Sequence, residues 1–138
     1  MQNGTLIKTL FLKATPEKVW AYLTESDKLA EWFHGSRETL TKGQDYHLLS
    51  SDKEDTNLCW GKVLEANPHD KLVYTFTHDH LAGHETTVMW ELEAAFGGTQ
   101  LVMTHSGLDS AAEPLGMLNS HDKGWDDHFS RLHEKVAA

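Results

Sequence analysis

From Gly43 to Ser106 the side chains alternate in polarity with a period of two, and this alternation constrains the fold more tightly than any other feature. The spacing predicts strands at about Gln44–Ser50, Leu58–Glu65, Lys71–His78, Glu85–Ala94 and Thr99–His105. Their separators, Ser51-Asp52, Asn67-Pro68-His69-Asp70, Ala82-Gly83 and Gly97-Gly98, are short and built of turn formers. Parallel strands need long crossovers, so separators this short predict antiparallel hairpins. Leu72, Tyr74, Phe76 and His78 share one face of their strand, as do Val88, Trp90 and Leu92, and then Leu101, Met103 and His105. Thr87, Glu91, Glu93, Gln100 and Thr104 fall on the other face, which gives a sheet with one buried side and one wet side.

A sheet with one apolar face needs a cover. The final segment supplies it. From about Pro114 to Val136, the residues Leu118, His121, Trp125, Phe129, Leu132 and Val136 recur at three or four, which is one stripe of a helix. Asp122, Lys123, Asp126, Asp127, Arg131 and Glu134 occupy the opposite side. Asp127 and Arg131 stand at i,i+4 in the favourable orientation, a pair worth roughly 0.2–0.5 kcal/mol.

The N-terminal part completes the pattern. Leu6 to Lys13 reads as a first strand. Thr15-Pro16 then starts a helix, with Thr15 as N-cap and Pro16 at the first helical position. Lys18 is not the Glu or Gln of a full capping box, so the cap is half built. Val19, Trp20 and Leu23 give this helix its apolar side, and Trp20 and Leu23 are expected in the core. Ser26-Asp27 restarts a short second helix carrying Leu29, Trp32 and Phe33, which Gly35 can end.

Composition narrows the partners. The 138 residues suit one domain, and the formal charge of −9 repels phosphate backbones and anionic lipid headgroups. Neither nucleic acid nor a membrane is therefore expected as partner. The lone Cys59 allows no internal disulfide, and the apolar run Leu10-Phe11-Leu12 between Lys8 and Lys13 is too short for a signal or membrane-spanning core. A cytoplasmic protein is the expectation.

Several motifs fall in a recognisable order. They are Ala14-Thr15-Pro16-Glu17-Lys18-Val19-Trp20, Glu31-Trp32-Phe33, Gly61-Lys62-Val63 through Pro68, and Lys71-Leu72-Val73-Tyr74-Thr75-Phe76. After these come Thr99-Gln100-Leu101 through Thr104-His105-Ser106-Gly107, and Gly124-Trp125-Asp126-Asp127-His128-Phe129 with Leu132. Together they span essentially the whole chain. Their order and spacing resemble the START-like superfamily, which includes plant allergens, polyketide cyclases and lipid-transfer domains. The closer resemblance is to the homologues of the activator of the heat-shock protein 90 ATPase. The resemblance implies an α+β helix-grip fold in a single domain over residues 1–138. In that fold a six-stranded curved antiparallel sheet grips a long C-terminal helix, with two short helices after the first strand. It also implies a cavity between sheet and helix, and it leaves a chaperone or a second copy of the chain as protein partner.

A helix laid across a curved sheet leaves space at its wider end, and large flat side chains suit the walls of such a space. Trp32, Phe33, Tyr74, Phe76, Trp90, Met103, Trp125 and Phe129 are the wall candidates, with Trp32 and Phe33 at the mouth; the competing reading is that they fill the core. His105 and His121 fall on inward faces, where an imidazole can orient a ligand's polar end, move a proton, or sit satisfied in the core. The chain carries 10 histidines, and His78, His80 and His84 cluster at one hairpin. Their spacing matches no closed zinc site, so no metal and no cofactor are expected.

No nucleophilic triad or phosphate loop is present, and Gly97-Gly98 precedes a strand rather than a helix. Glu31, Glu91 and Glu93 sit at helix ends or outward strand positions, so no carboxylate pair is placed for acid–base work and no catalytic residue is assigned. Binding of an apolar or amphipathic small molecule is the leading expectation. A cyclase- or hydrolase-like enzyme using a pocket histidine is the second reading. A chaperone-interacting module is the third, and it would need an exposed apolar patch where the pattern places mostly Thr, Glu and Gln.

Overall fold

The computed structural model describes residues 4–49, 57–78, 84–108 and 114–137. The elements run β1 (Leu6–Leu12), α1 (Pro16–Thr24), α2 (Ser26–Trp32), β2 (Asp45–Leu49), β3 (Asn57–Asn67), β4 (Lys71–His78), β5 (Thr86–Ala95), β6 (Gly98–Ser106) and α3 (Pro114–Ala137). The strands form one six-stranded antiparallel sheet in the order β1-β6-β5-β4-β3-β2. Each strand from β2 to β6 lies beside its neighbour in sequence, as short hairpin connections require. β1 closes on β6, which leaves β1 and β2 as the edges.

Register shifts at Leu48/Leu49 and at Val63/Glu65 mark bulges in β2–β3 and β3–β4. Bulges bend a strand and increase its twist, so curvature is concentrated in this half of the sheet. Gly61 lies in the same stretch. A Cβ there would stand 2.0 Å from the Thr75 carbonyl oxygen, so only glycine lets β3 and β4 approach this closely. The gap is used by hydrogen bonds: Lys62 N–H donates to Thr75 Oγ1 at 2.9 Å, and the Tyr46 hydroxyl donates to the Thr75 carbonyl at 2.6 Å.

The expected inner face is buried. Leu72, Tyr74 and Phe76 of β4, Val88, Trp90 and Leu92 of β5, and Leu101, Met103 and His105 of β6 all face α3 or the helices before it. The register Trp90↔Met103 and Val88↔His105 sets these residues side by side. From α3, Trp125, Phe129, Leu132 and Val136 complete the core. Lys8 of β1 reaches across to the Asp122 and Asp126 carboxylates, fastening the edge strand to the closing helix.

Four expectations need correction. The apolar face of α1 is Val19, Tyr22 and Leu23, and Trp20 sits half-buried on its shoulder beside His69, because i, i+3 and i+4 align while i+1 turns away. α2 ends at Trp32, its last bond running from Phe33 N–H to the Leu29 carbonyl, because Gly35 is drawn into pairing with Leu49 instead. The β5–β6 turn is Phe96-Gly97, both at positive φ as a tight two-residue hairpin demands, while Gly98 already belongs to β6. Finally, Arg131 does not pair with Asp127. Its Nε donates to the Trp32 carbonyl at 3.3 Å, where it ties α3 to the end of α2.

The outer sheet face is also less polar than its alternation suggests. Ile7 is 65% exposed, Phe11 58% and Phe96 93%, and the Phe11 and Phe96 rings meet edge to face at 6.1 Å.

Candidate functional site

A cavity of about 550 Å³ lies between the middle of α3, the residues that follow α2, and the β3–β4 side of the sheet. Its apolar walls are Phe33, Phe76, Met117 and Trp125, with Leu58 and Cys59 from β3. Leu58 is 38% exposed and Ser120 is exposed, so the cavity reaches solvent between β3 and α3. Phe33 stacks on Trp125 with ring centroids 5.2 Å apart and planes at 29°. His34, His78, His121 and His128 supply most of the polar lining.

Of the residues singled out from the sequence, Phe33, Phe76, His121 and Trp125 line this space. Trp32, Tyr74, Trp90, Met103, His105 and Phe129 form the buried layer behind it. Trp32, expected at the mouth, is locked inside: its indole N–H donates to the Tyr22 carbonyl at 2.8 Å, and its ring meets Trp90 edge-on. Trp90 in turn donates to the Tyr74 hydroxyl at 3.0 Å. Burial drives the Tyr74 hydroxyl above the ordinary tyrosine range, so it stays protonated.

His105 is the hinge between that layer and the wall. Trp125 Nε1–H donates to His105 Nδ1 at 3.1 Å. Thr86 Oγ1 donates to the Phe76 carbonyl at 2.7 Å, so it accepts from His105 Nε2–H at 2.8 Å. Both ring nitrogens are engaged and the ring is neutral. Burial holds it down to about 3, with His121 and His78 adding to the effect. Its lone pair is occupied, so it positions Trp125 and has no capacity left for a proton from a ligand.

His121 is different. Its Nδ1–H donates to the Met117 carbonyl at 2.7 Å, one turn back along α3. Its Nε2 faces His78 Nε2 at 3.0 Å, with the two rings nearly parallel at 19°. With Nδ1 carrying the proton of a neutral His121, the bridging proton belongs to His78. Burial pushes His121 below the ordinary histidine range, against the pull of the Met117 carbonyl.

His128 lies one face further along α3. Arg131 Nη2 approaches its Nδ1 at 2.6 Å. A guanidinium can only donate, so His128 Nδ1 accepts and its ring proton sits on Nε2; the Trp32 carbonyl 3.2 Å away is then a neighbour rather than a partner. Burial brings His128 down to about 4, with His34 and Arg131 contributing. His34 Nδ1 is buried and has no hydrogen-bond partner among the described residues. Burial, then Arg131, lowers its basicity as well. Cys59 is a protonated thiol, pushed up to about 12 by burial.

His34, Cys59, Met117, Gly124 and His128 were not anticipated in the lining. Part of this was legible. Met117, His121, Gly124 and His128 follow one another at four, three and four, so they form a second helical stripe beside the one through Trp125 and Phe129. Glycine and polar side chains hid that stripe from a search for apolar periodicity. Of the hairpin histidines, His80 lies outside the described residues, His84 is exposed, and His78 turns to α3. Among the described residues no group of His, Cys, Asp or Glu is arranged to hold a metal ion, and no helix is long and apolar enough to cross a membrane.

A curved antiparallel sheet gripping one long helix, with an aromatic cavity between them, is the helix-grip architecture of START-like proteins. Within that class the chain belongs to the family described as Activator of Hsp90 ATPase homolog 1-like protein, which it matches over residues 13–137. It is similar in structure to protein MLL2253 from Mesorhizobium loti, with 22% identity, a TM-score of 0.82 and 94% of each chain covered. Protein CV1439 from Chromobacterium violaceum superimposes with a TM-score of 0.80 at 21% identity over 98% of each chain. The Aha1 dimer from Colwellia psychrerythraea gives 0.76 at 18% identity over 96% of each. Identities at this level establish a shared fold. No curated protein matches the chain.

Proposed function

We propose that this protein binds an apolar or amphipathic small molecule in the cavity between α3 and the inner face of the sheet. The observation that carries the reading is a solvent-reaching space of about 550 Å³ walled by Phe33, Phe76 and Trp125, with histidines grouped at one side. That volume suits a ligand of drug-like size, and the mix of flat apolar walls and a few polar groups is what holds and orients one. The body of the ligand lies against the three aromatic rings, and its polar end meets His121 and its neighbours.

Gly124 provides the test. It lines the cavity on α3, and an added Cβ would meet nothing within 4 Å. Gly124→Leu fills the space while removing a helix-interior glycine, a change worth up to about 1 kcal/mol in favour of the helix. A hydrophobic ligand library screened by thermal shift should contain compounds that stabilise the wild type by roughly 2.7 kcal/mol at a hundredfold excess over Kd. The Gly124→Leu variant should fold and lose that response. A library without a single stabilising compound, or equal responses from both proteins, would sink the proposal.

A protein-docking reading is favoured by a separate observation, the exposed Ile7, Phe11 and Phe96 on the outer sheet face. The occupant we propose there is a second copy of the chain, in line with the Colwellia relative, which is described as a dimer. For a cyclase- or hydrolase-like reading, His105 is unsuited because it stands behind the wall with both nitrogens bonded; His121 lines the cavity, but its nitrogens are engaged too, by the Met117 carbonyl and by His78.

A further inference from the structure

The histidines around the cavity are not equivalent. His121 has Nδ1–H on the Met117 carbonyl and Nε2 against His78, and His105 behind the wall has both nitrogens bonded. Two other lining histidines keep capacity for a ligand. His128 Nδ1 accepts from Arg131 Nη2 at 2.6 Å, so its ring proton sits on Nε2, and that N–H has no acceptor among the described residues. His34 makes no hydrogen bond through either ring nitrogen among the described residues, and its Nδ1 is buried in that state. A neutral imidazole always carries one N–H, so His34 holds a second unused donor. The two rings meet edge to face with centroids 5.2 Å apart, and both pack on Phe33.

Arg131 gives this corner its charge. Its Nε donates to the Trp32 carbonyl at 3.3 Å and its Nη2 to His128, and both acceptors are neutral. It forms no ion pair with a carboxylate among the described residues, although Asp127 stands one turn back on the same helix. A guanidinium that donates to one ring nitrogen polarises the N–H at the other, which makes His128 a stronger donor toward a negatively charged oxygen. The lowered basicity of the two rings reports the same positive field. Burial lowers both first; after it His34 responds to Arg131, and His128 to His34 and then to Arg131. Asp127 acts on His128 in the opposite sense and is the weakest of these influences.

We propose that the ligand of this cavity carries a carboxylate at one end, received by His128 Nε2–H with His34 beside it as second donor and Arg131 behind His128 as the positioning cation. The inference rests on the binding reading above and identifies the polar end of the ligand. Two ring donors suit the two oxygens of a carboxylate, and the single guanidinium matches its single charge. No proton is transferred and no covalent bond forms, because the charge resides permanently on Arg131 and the two imidazoles stay neutral. The apolar body then runs from this corner along Phe33, which touches both His128 and Trp125, toward Phe76.

Isothermal titration calorimetry with decanoate and with 1-decanol separates the head group from the chain. Both should bind the wild type. Arg131→Gln should weaken decanoate by about fivefold and leave decanol unchanged, and Arg131→Lys, which keeps the charge, should recover most of the loss. His128→Phe keeps a ring and removes the donor, and it should have the same one-sided effect. Were Arg131 only a fastener between α3 and the end of α2, its loss would weaken both probes together. In the wild type the 15N resonances of Arg131 Nε and His128 Nε2 should shift with decanoate and stay in place with decanol, which keeps the test decisive even if a variant fails to fold. Equal losses for the two probes, decanoate binding untouched by either substitution, resonances that ignore decanoate, or a cavity that takes decanol and refuses decanoate would overturn this inference and leave the binding cavity intact. Failure of both probes to bind would bring down the cavity reading as well.

Discussion

His105 accepts from the Trp125 indole and donates to Thr86, so the neutral ring is the form the fold requires. The folded ring is held down to about 3, while an unfolded histidine titrates near 6.5. Between those values the unfolded chain binds the extra proton and the folded chain does not. The stability due to this residue is therefore complete above about pH 6.5 and is lost as pH falls toward 3, at up to about 1.4 kcal/mol per pH unit. Chemical denaturation from pH 7 to 4 should show that slope, and His105→Leu should remove this residue's share of it. The same variant should cost about 1–3 kcal/mol for the orphaned Trp125 N–H, while the Thr86 hydroxyl keeps its bond to the Phe76 carbonyl. A slope unchanged in the variant would show that other groups carry the acid sensitivity. Strand parity alone places His105 on the inner face. Its proton arrangement was not legible, because it depends on a hydroxyl of the neighbouring strand and an indole of α3.

At the scale of elements, Gly61 shows how a single position sets the shape of the cavity. A methyl group there would collide with the Thr75 backbone, and the strands cannot separate without moving Cys59 and Phe76, which line the cavity from either side of that crossing. Gly61→Ala is expected to destabilise by about 3 kcal/mol, read from the urea midpoint, and to weaken ligand binding in parallel. A stable variant with normal binding would mean that β3 can shift without reshaping the site. The elements themselves were largely legible. β4 falls on the expected Lys71–His78, and α3 begins at the expected Pro114, because periods of two and of three to four are strong over stretches this long. The details that failed, the end of α2 and the β5–β6 turn, were settled by long-range pairing of Gly35 and by strand register.

For the whole molecule, the edge position of β1 and the exposed Phe11–Phe96 pair bear on assembly. Exposed aromatic side chains on an edge strand are a site where another chain gains apolar burial. Sedimentation velocity should find the wild type as a dimer, and a Phe11→Glu, Phe96→Glu double variant as a monomer with unchanged circular dichroism. A wild type that sediments as a monomer across the micromolar range would rule out this interface. The polarity pattern did not reveal the patch, since Phe11 reads as part of a continuous Leu10-Phe11-Leu12 run and Phe96 as the residue before a glycine turn. Only the pairing of β1 with β6 places the two rings together.

What the amino-acid sequence determined by itself was the set of elements and the side each one buries. Alternation is a local property of strands and the three-to-four repeat a local property of helices, so Tyr74, Phe76, Trp90, Met103 and His105 could be assigned to the inner face, and Trp125 and Phe129 to the helix stripe, without coordinates. Tertiary structure alone decided which of those residues face a space and which stand behind it. That division depends on where α3 crosses the curved sheet, how the bulges in β3 bend it, and how Arg131 and Lys8 fasten the helix at two points. It also decided the chemistry of the cavity, because the joining of His78 to His121 and the shielding of His128 by Arg131 are contacts between residues that periodicity treats separately. Which nitrogens carry protons is a property of the assembled network, and no window of sequence contains it.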